Sequence, residues 1–200
     1  MAILGPGDLA PDITLRDLEG QTQVAVSVAG AAGAAGADGA VAGAAPREIS
    51  PWDRPAGLAA AAGSPGEKRP TVLVFMKSSC PTCQFLAPFV EILRAGLPAG
   101  AARFLGIMQD EREEALNFRD MLGLRFPLLL EPEPWESSER YGLESVPATF
   151  LVEPDGRISR SFLAFQRPEI ESMAQDLASR AGGSSVELFG GREVPILKPG

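Results

Sequence analysis

The feature that most constrains this chain is an apolar run, Val72 to Met76, leading into Cys80-Pro81-Thr82-Cys83 and then into a helical pattern from Phe85 to Leu93. The run Thr71 to Met76 reads as a buried strand, and the tetrad sits where that strand hands over to a helix. A cysteine at the first turn of a helix has its sulfur near unpaired backbone N–H groups and the positive end of the helix dipole. C-x-x-C thiols in that position are generally more acidic than free cysteine, which marks Cys80 as the expected nucleophile. Cys83, one turn on, shares its helix face and lies within bridging distance. These are the only two cysteines of the chain.

The rest of the pattern builds a layered domain around that junction. Ile13 and Leu15 alternate with polar neighbours, Glu19-Gly20 reads as a turn, and Val24, Val26 and Val28 follow, which predicts a small N-terminal hairpin. Pro81 to Ala95 is a predicted helix bent at Pro88. Arg103 to Gln109 is the next strand, and Asp110 with Glu113 forms a capping box for a helix that carries Ala115, Phe118 and Leu122 on one face and ends at Gly123. Leu128 to Leu130 is a short apolar stretch, and Trp135 to Tyr141 is a short helix stopped by Gly142. Ala148 to Val152 and Arg157 to Ala164 flank the turn Glu153-Pro154-Asp155-Gly156, and a last helix spans Pro168 to Ala181. Strands alternating with helices, then a hairpin and a closing helix, predict an α/β fold with a mixed central sheet flanked by helices.

Between the hairpin and the first long strand the composition changes. From Ala29 to Ala45 all residues but Asp38 and Val41 are Ala or Gly, and prolines, glycines and Ala59 to Ala62 follow. Such a segment has little apolar side-chain area to offset the entropy of ordering it, so residues 29–66 are expected to be a flexible insertion. The expected organisation is one domain over residues 1–182, interrupted at 29–66, with residues 183–200 as a tail. The net charge of −8 argues against nucleic acid and anionic membranes as partners. The first ten residues have neither a basic stretch nor an apolar core, so no signal peptide is expected and the expected location is cytoplasmic.

Three separated motifs resemble the thioredoxin-like superfamily, in its redoxin branch of AhpC/TSA (peroxiredoxin-like) and TlpA-like thiol-disulfide oxidoreductases. Gly7-Asp8-Leu9-Ala10-Pro11-Asp12-Ile13-Thr14-Leu15 with Leu18-Glu19-Gly20 is similar to the redoxin N-terminal signature. Cys80-Pro81-Thr82-Cys83 with Pro88 looks like the redox helix and its kink. Tyr141 to Val152, with Asp155-Gly156-Arg157-Ile158, resembles the stretch that bears the family's cis-proline. The resemblance implies Cys80 as nucleophile, Cys83 as resolving cysteine and Pro147 as a cis-proline facing their sulfurs. Val146, Ser79, Pro81 and Thr82 would form the substrate-binding surface, with Val146 offering backbone groups to an extended segment. The chain departs from the pattern at Ser79, where many relatives carry Trp, and at Val74, where thioredoxin has a buried acid.

The chemistry implied is reduction or exchange of protein disulfides, with disulfide-containing proteins and a thiol electron donor as partners, no cofactor or metal, and a monomeric chain. The first alternative is a thiol peroxidase. Its usual Pro-x-x-x-Thr-x-x-Cys pattern has Leu73 and Lys77 here in place of the proline and threonine. The second is Cu(I) binding by the two thiols, although the chain has no histidine to assist. A structural zinc site would need four ligands and finds two. Lys77 is either a positive charge beside Cys80 or a solvated surface lysine, and Trp135, Phe85 and Phe89 are expected to pack in the core or at its rim.

Replacing residues 30–66 by a short Gly-Ser linker should leave the melting temperature and the reduction of insulin disulfides nearly unchanged, because loop-closure entropy varies slowly with loop length. A large drop in melting temperature would show that the insertion is part of the folded domain.

Overall fold

The computed structural model describes residues 2–26 and 69–200. The insertion expected at 29–66 therefore lies outside the described residues. The N-terminal alternation forms the hairpin β1 (Ile13–Asp17) and β2 (Thr22–Val26), paired antiparallel. Asp17 pins the turn, its carboxylate accepting from the N–H groups of Glu19 and Gln21 at 3.1 and 2.7 Å, while Gly20 takes a left-handed φ of +82°. Then come β3 (Thr71–Met76), α1 (Pro81–Gly96), β4 (Arg103–Met108), α2 (Arg112–Leu122), β5 (Leu128–Leu130) and α3 (Glu136–Arg140). The chain continues through β6 (Ala148–Val152), β7 (Ile158–Leu163), β8 (Phe165–Gln166), α4 (Arg167–Arg180) and β9 (Leu197–Lys198).

Seven strands form one sheet in the order β2-β1-β5-β4-β3-β6-β7. The three strands β5, β4 and β3 run parallel, and the outer pairs are antiparallel, so the sheet is mixed as expected. The hairpin joins that sheet through β1 and β5 and is its edge. This is the thioredoxin-like fold.

Strand periodicity divides the core in two. Val72, Val74 and Met76 of β3 face one side, where they meet Leu86, Val90 and Leu93 of α1, Phe118 of α2 and Met173 and Leu177 of α4. Leu73 and Phe75 face the other side and meet Ile13, Tyr141 and Phe150. Phe75, Tyr141 and Phe150 form a mutually packed aromatic triplet with ring centroids 4.9–5.8 Å apart. The buried Tyr141 hydroxyl donates to the Pro11 carbonyl at 3.1 Å. The N-terminal segment closes this second side by backbone bonds: Gly7 and Ala10 N–H donate to the Ile158 and Gly156 carbonyls, and Ile158 N–H donates to Asp8. The chain from α3 runs against it, with a left-handed Gly142 whose Cβ, were there one, would meet the Ala2 carbonyl oxygen.

Two local expectations are corrected. The capping box at Asp110 does not form: Glu111 is the N-cap of α2, without a side-chain bond, and the Asp110 carboxylate is turned elsewhere. Residues 183–200, read as a tail, lie against the domain. Leu188 and Phe189 are buried, and the Phe189 ring packs edge-on at 5.0 Å from Phe89 and 6.3 Å from Phe165. Further along, β9 pairs antiparallel with β8. The polar, glycine-rich composition of 182–191 concealed the two apolar anchors at its centre.

Phe189→Ala should lower stability by about 3 kcal/mol in urea unfolding, at the low end for a buried phenylalanine. Ile196→Ala, at a side chain 72% exposed, should change it by less than about 0.5 kcal/mol. Equal, small effects would mean that the segment does not pack as described.

Candidate active site

Helix α1 begins on the Cys80 sulfur itself. Cys80 is its N-cap, with extended backbone, and its Sγ accepts the N–H of Cys83 at 3.2 Å. Pro81 follows at the first helical position, where its missing N–H removes a donor that would have no partner in the helix anyway. The Cys80 N–H donates to the Lys77 carbonyl at 3.1 Å, closing the turn between β3 and α1. Both cysteines are thiols, with Cys80 half-buried and Cys83 wholly buried.

On the far side of the sulfurs stands the loop before β6. The Val146–Pro147 peptide bond is cis, Pro147 is buried, and the Val146 carbonyl accepts from the Cys80 thiol at 3.4 Å. Cys83 points inward, where its sulfur accepts the Lys77 N–H at 3.5 Å. Burial pushes the Cys83 thiol well above the ordinary thiol range; the Lys77 N–H opposes that, and Cys80 and the Asp110 carboxylate reinforce it. The two sulfurs therefore differ in access, and the inner one holds its proton.

Ser79 and Pro81 are exposed at the rim, and neither contributes a polar contact to the sulfurs. Thr82 is buried, its hydroxyl donating to the Pro199 carbonyl. Val74 lies in β3 within the apolar core, paired to Thr149, so no acid stands at that position.

Asp110 is the residue that the sequence reading assigned wrongly. Its Oδ2 accepts the Ser78 N–H at 2.8 Å and its Oδ1 the Ser78 hydroxyl at 2.6 Å. Gln84 of α1 completes the clamp by donating through Nε2 to the Ser78 carbonyl at 2.8 Å. The signal lay in the register: Met76 and Met108 are partners in adjacent parallel strands, so the residues two beyond each, Ser78 and Asp110, emerge side by side. Ligand-bearing residues of α/β sheets gather at such carboxyl ends of strands. Lys77 is partly settled too, with its Nζ 5.0 Å from the Trp135 ring centroid. Trp135, at a left-handed φ of 59°, flanks a cleft of about 440 Å³ that reaches Ser145.

Comparison with known proteins identifies the family and the fold. A model of the AhpC/TSA family matches residues 59–161. Methylamine utilization protein MauD of Methylobacillus flagellatus is 30% identical over 126 residues, which cover 63% of this chain and 57% of MauD. The matched part thus spans little more than half the length of that relative. A thiol-disulfide oxidoreductase from Bacteroides fragilis has a similar structure, with a TM-score of 0.60 at 15% identity over 85% of this chain and 99% of its own. Peroxidoxin BcpB from Mycobacterium tuberculosis is also similar, with a TM-score of 0.56 at 16% identity over 87% and 94% of the two chains. At these identities the structural likenesses speak for the fold.

In the Cys80→Ser variant, Cys83 should resist iodoacetamide at neutral pH, its labelling rate rising only in strongly alkaline solution because the reactive thiolate is scarce below that. Asp110→Asn removes a negative charge that helps to retain the proton, so it should move that rise to lower pH. Labelling at neutral pH at the rate of an ordinary exposed thiol would contradict the burial of Cys83.

Proposed function

The chain belongs to the AhpC/TSA family, and we propose that within it the protein acts as a thiol-disulfide oxidoreductase that reduces or exchanges disulfides of other proteins. The observation that carries this reading is the pairing of a half-exposed sulfur at a helix N-cap with a wholly buried one directly behind it. Such a pair separates attack from resolution by access alone.

The Cys80 thiolate attacks one sulfur of a substrate disulfide in line with the bond that breaks, forming a mixed disulfide and releasing the other substrate sulfur as a thiolate. Cys83 keeps its proton during this step, which prevents a second attack from the buried side. Cys83 then loses that proton and its thiolate attacks the Cys80 Sγ; the bond from Cys80 to the substrate breaks, the second substrate sulfur leaves as a thiolate and takes up a proton, and the enzyme holds the Cys80–Cys83 disulfide. Two electrons have passed to the substrate. An external thiol donor must return them before the next turnover.

Each neighbouring group has a task in this scheme. Pro147 and Val146 border the outer sulfur, and the Val146 carbonyl orients the Cys80 thiol. The clamp of Asp110 and Gln84 on Ser78 holds the loop that carries Cys80, which makes Asp110 a positioning residue. Attack at sulfur is demanding of direction, so a rigid loop favours a productive approach. The peroxidase alternative gains nothing from this geometry: Lys77 stands where the peroxidatic threonine is expected, and its Nζ rests over Trp135.

The reduced Cys83→Ser variant should accumulate mixed disulfides with protein substrates in a lysate prepared without reductant, visible as bands removed by dithiothreitol, and should not turn over insulin. Cys80→Ser should trap almost none. Thiol-dependent consumption of hydrogen peroxide by the wild type, with neither variant trapping a protein, would favour the peroxidase instead.

A further inference from the structure

The stretch after α4 returns to the cysteines in two unlike parts. Its root is firm: Leu188 and Phe189 are buried, Phe189 carries the Arg167 guanidinium 5.3 Å from its ring centroid, and the Arg192 guanidinium lies 5.6 Å from that of Phe89. Its tip is held lightly. Ile196 and Leu197 are 72% and 58% exposed, and the tip is tied by the two-residue pairing of β9 with β8 and by the Arg167 N–H donating to the Ile196 carbonyl at 2.9 Å. Lys198 adds a contact over the Phe85 ring at 5.9 Å.

That lightly held stretch reaches the candidate redox site. The Pro199 carbonyl accepts from the Thr82 hydroxyl, inside the cysteine tetrad. Gly200 lies so close to the loop before β6 that a Cβ there would stand 2.5 Å from the Val146 carbonyl oxygen and 3.6 Å from Pro147 Cδ. The Val146 oxygen is the one that accepts from the Cys80 thiol. An extended polypeptide of this same chain thus occupies the ground between Thr82 and Val146, which a substrate segment needs in order to bring its disulfide to Cys80.

We propose that residues 196–200 are a displaceable strap that competes with the extended polypeptide of a protein substrate for the surface of Thr82, Val146 and Pro147. The proposal rests on the oxidoreductase reading for its substrate. A tether rooted at Leu188 and Phe189 keeps the tip at high effective concentration, so the strap returns whenever the substrate leaves. Its weak hold on the domain lets a substrate with more contacts displace it. Glycine at the point nearest Val146 is what allows the close approach.

Deletion of residues 196–200 leaves the buried root intact. It should raise kcat/KM for insulin reduction at least threefold with an unchanged melting temperature, and it should speed iodoacetamide labelling of Cys80. Gly200→Val, which cannot fit against the Val146 carbonyl, should do the same in the full chain and serves if the deletion perturbs folding. A synthetic peptide of residues 193–200 should inhibit the shortened protein competitively with insulin. Equal insulin kinetics and equal Cys80 labelling in the full and shortened chains would overturn the strap. If neither chain reduces insulin, the oxidoreductase reading fails on its own; faster labelling of Cys80 in the shortened chain would still uphold the cover over the sulfur, and unchanged labelling would dispose of it.

Discussion

The bond from the Cys83 N–H to the Cys80 Sγ is the interaction on which the site depends. Most helices are capped by an oxygen that has no other duty. Here the cap is the Cys80 sulfur, the atom proposed to attack, so the first turn of α1 and the proposed reactive centre share one piece of geometry. The helix in turn presses Leu86, Val90 and Leu93 against β3, which ties the position of a single sulfur to one whole side of the core. Cys83 is both the donor of that bond and the buried partner thiol, and its inward placement follows from the helical turn that separates the two residues.

The second side of the core contributes from behind. Phe75 lies in the strand that delivers the cysteine loop, and Phe150 in the strand that leads away from Pro147; the two meet edge-on, and Tyr141 packs on both between the sheet and the N-terminal segment. The antiparallel pairing of β3 with β6 carries the tetrad and the proline loop to the same end of the sheet, although they lie more than sixty residues apart in sequence. Neither loop needs to reach far. Stiffness of the site is thus a property of two adjacent central strands.

Much of this was legible because it is written in periodicity. Thr71 to Met76, the helix after the tetrad, the Gly123 stop and the hairpin around Glu153 to Gly156 all declare themselves locally, and the structure has them within a residue or two. What escaped depends on contacts between distant segments. Asp110 satisfied a local capping rule so well that its actual partner, Ser78, thirty-two residues earlier, went unread. Leu188 and Phe189 stand among glycines and polar residues with no period, so nothing nearby announced that they fill a gap beside Phe89 and Phe165. The geometry of Trp135, whose backbone sits in the left-handed region, follows from its loop and has no signature in its own neighbours.

The N-terminal segment has an effect beyond sealing the second core. By bonding Gly7, Asp8 and Ala10 to Gly156 and Ile158, with Leu9 bridged to Arg157, it lies along the opening of β7, the last strand of the sheet. A bare outer strand offers a row of unpaired N–H and C=O groups to any other chain that arrives in extended form. Extended polypeptides, which the proposed activity would bring to this domain, would pair with such an edge away from the sulfurs. The signature segment covers that edge where it begins, so the motif that resembles the family's also shields part of the sheet from pairing with another chain.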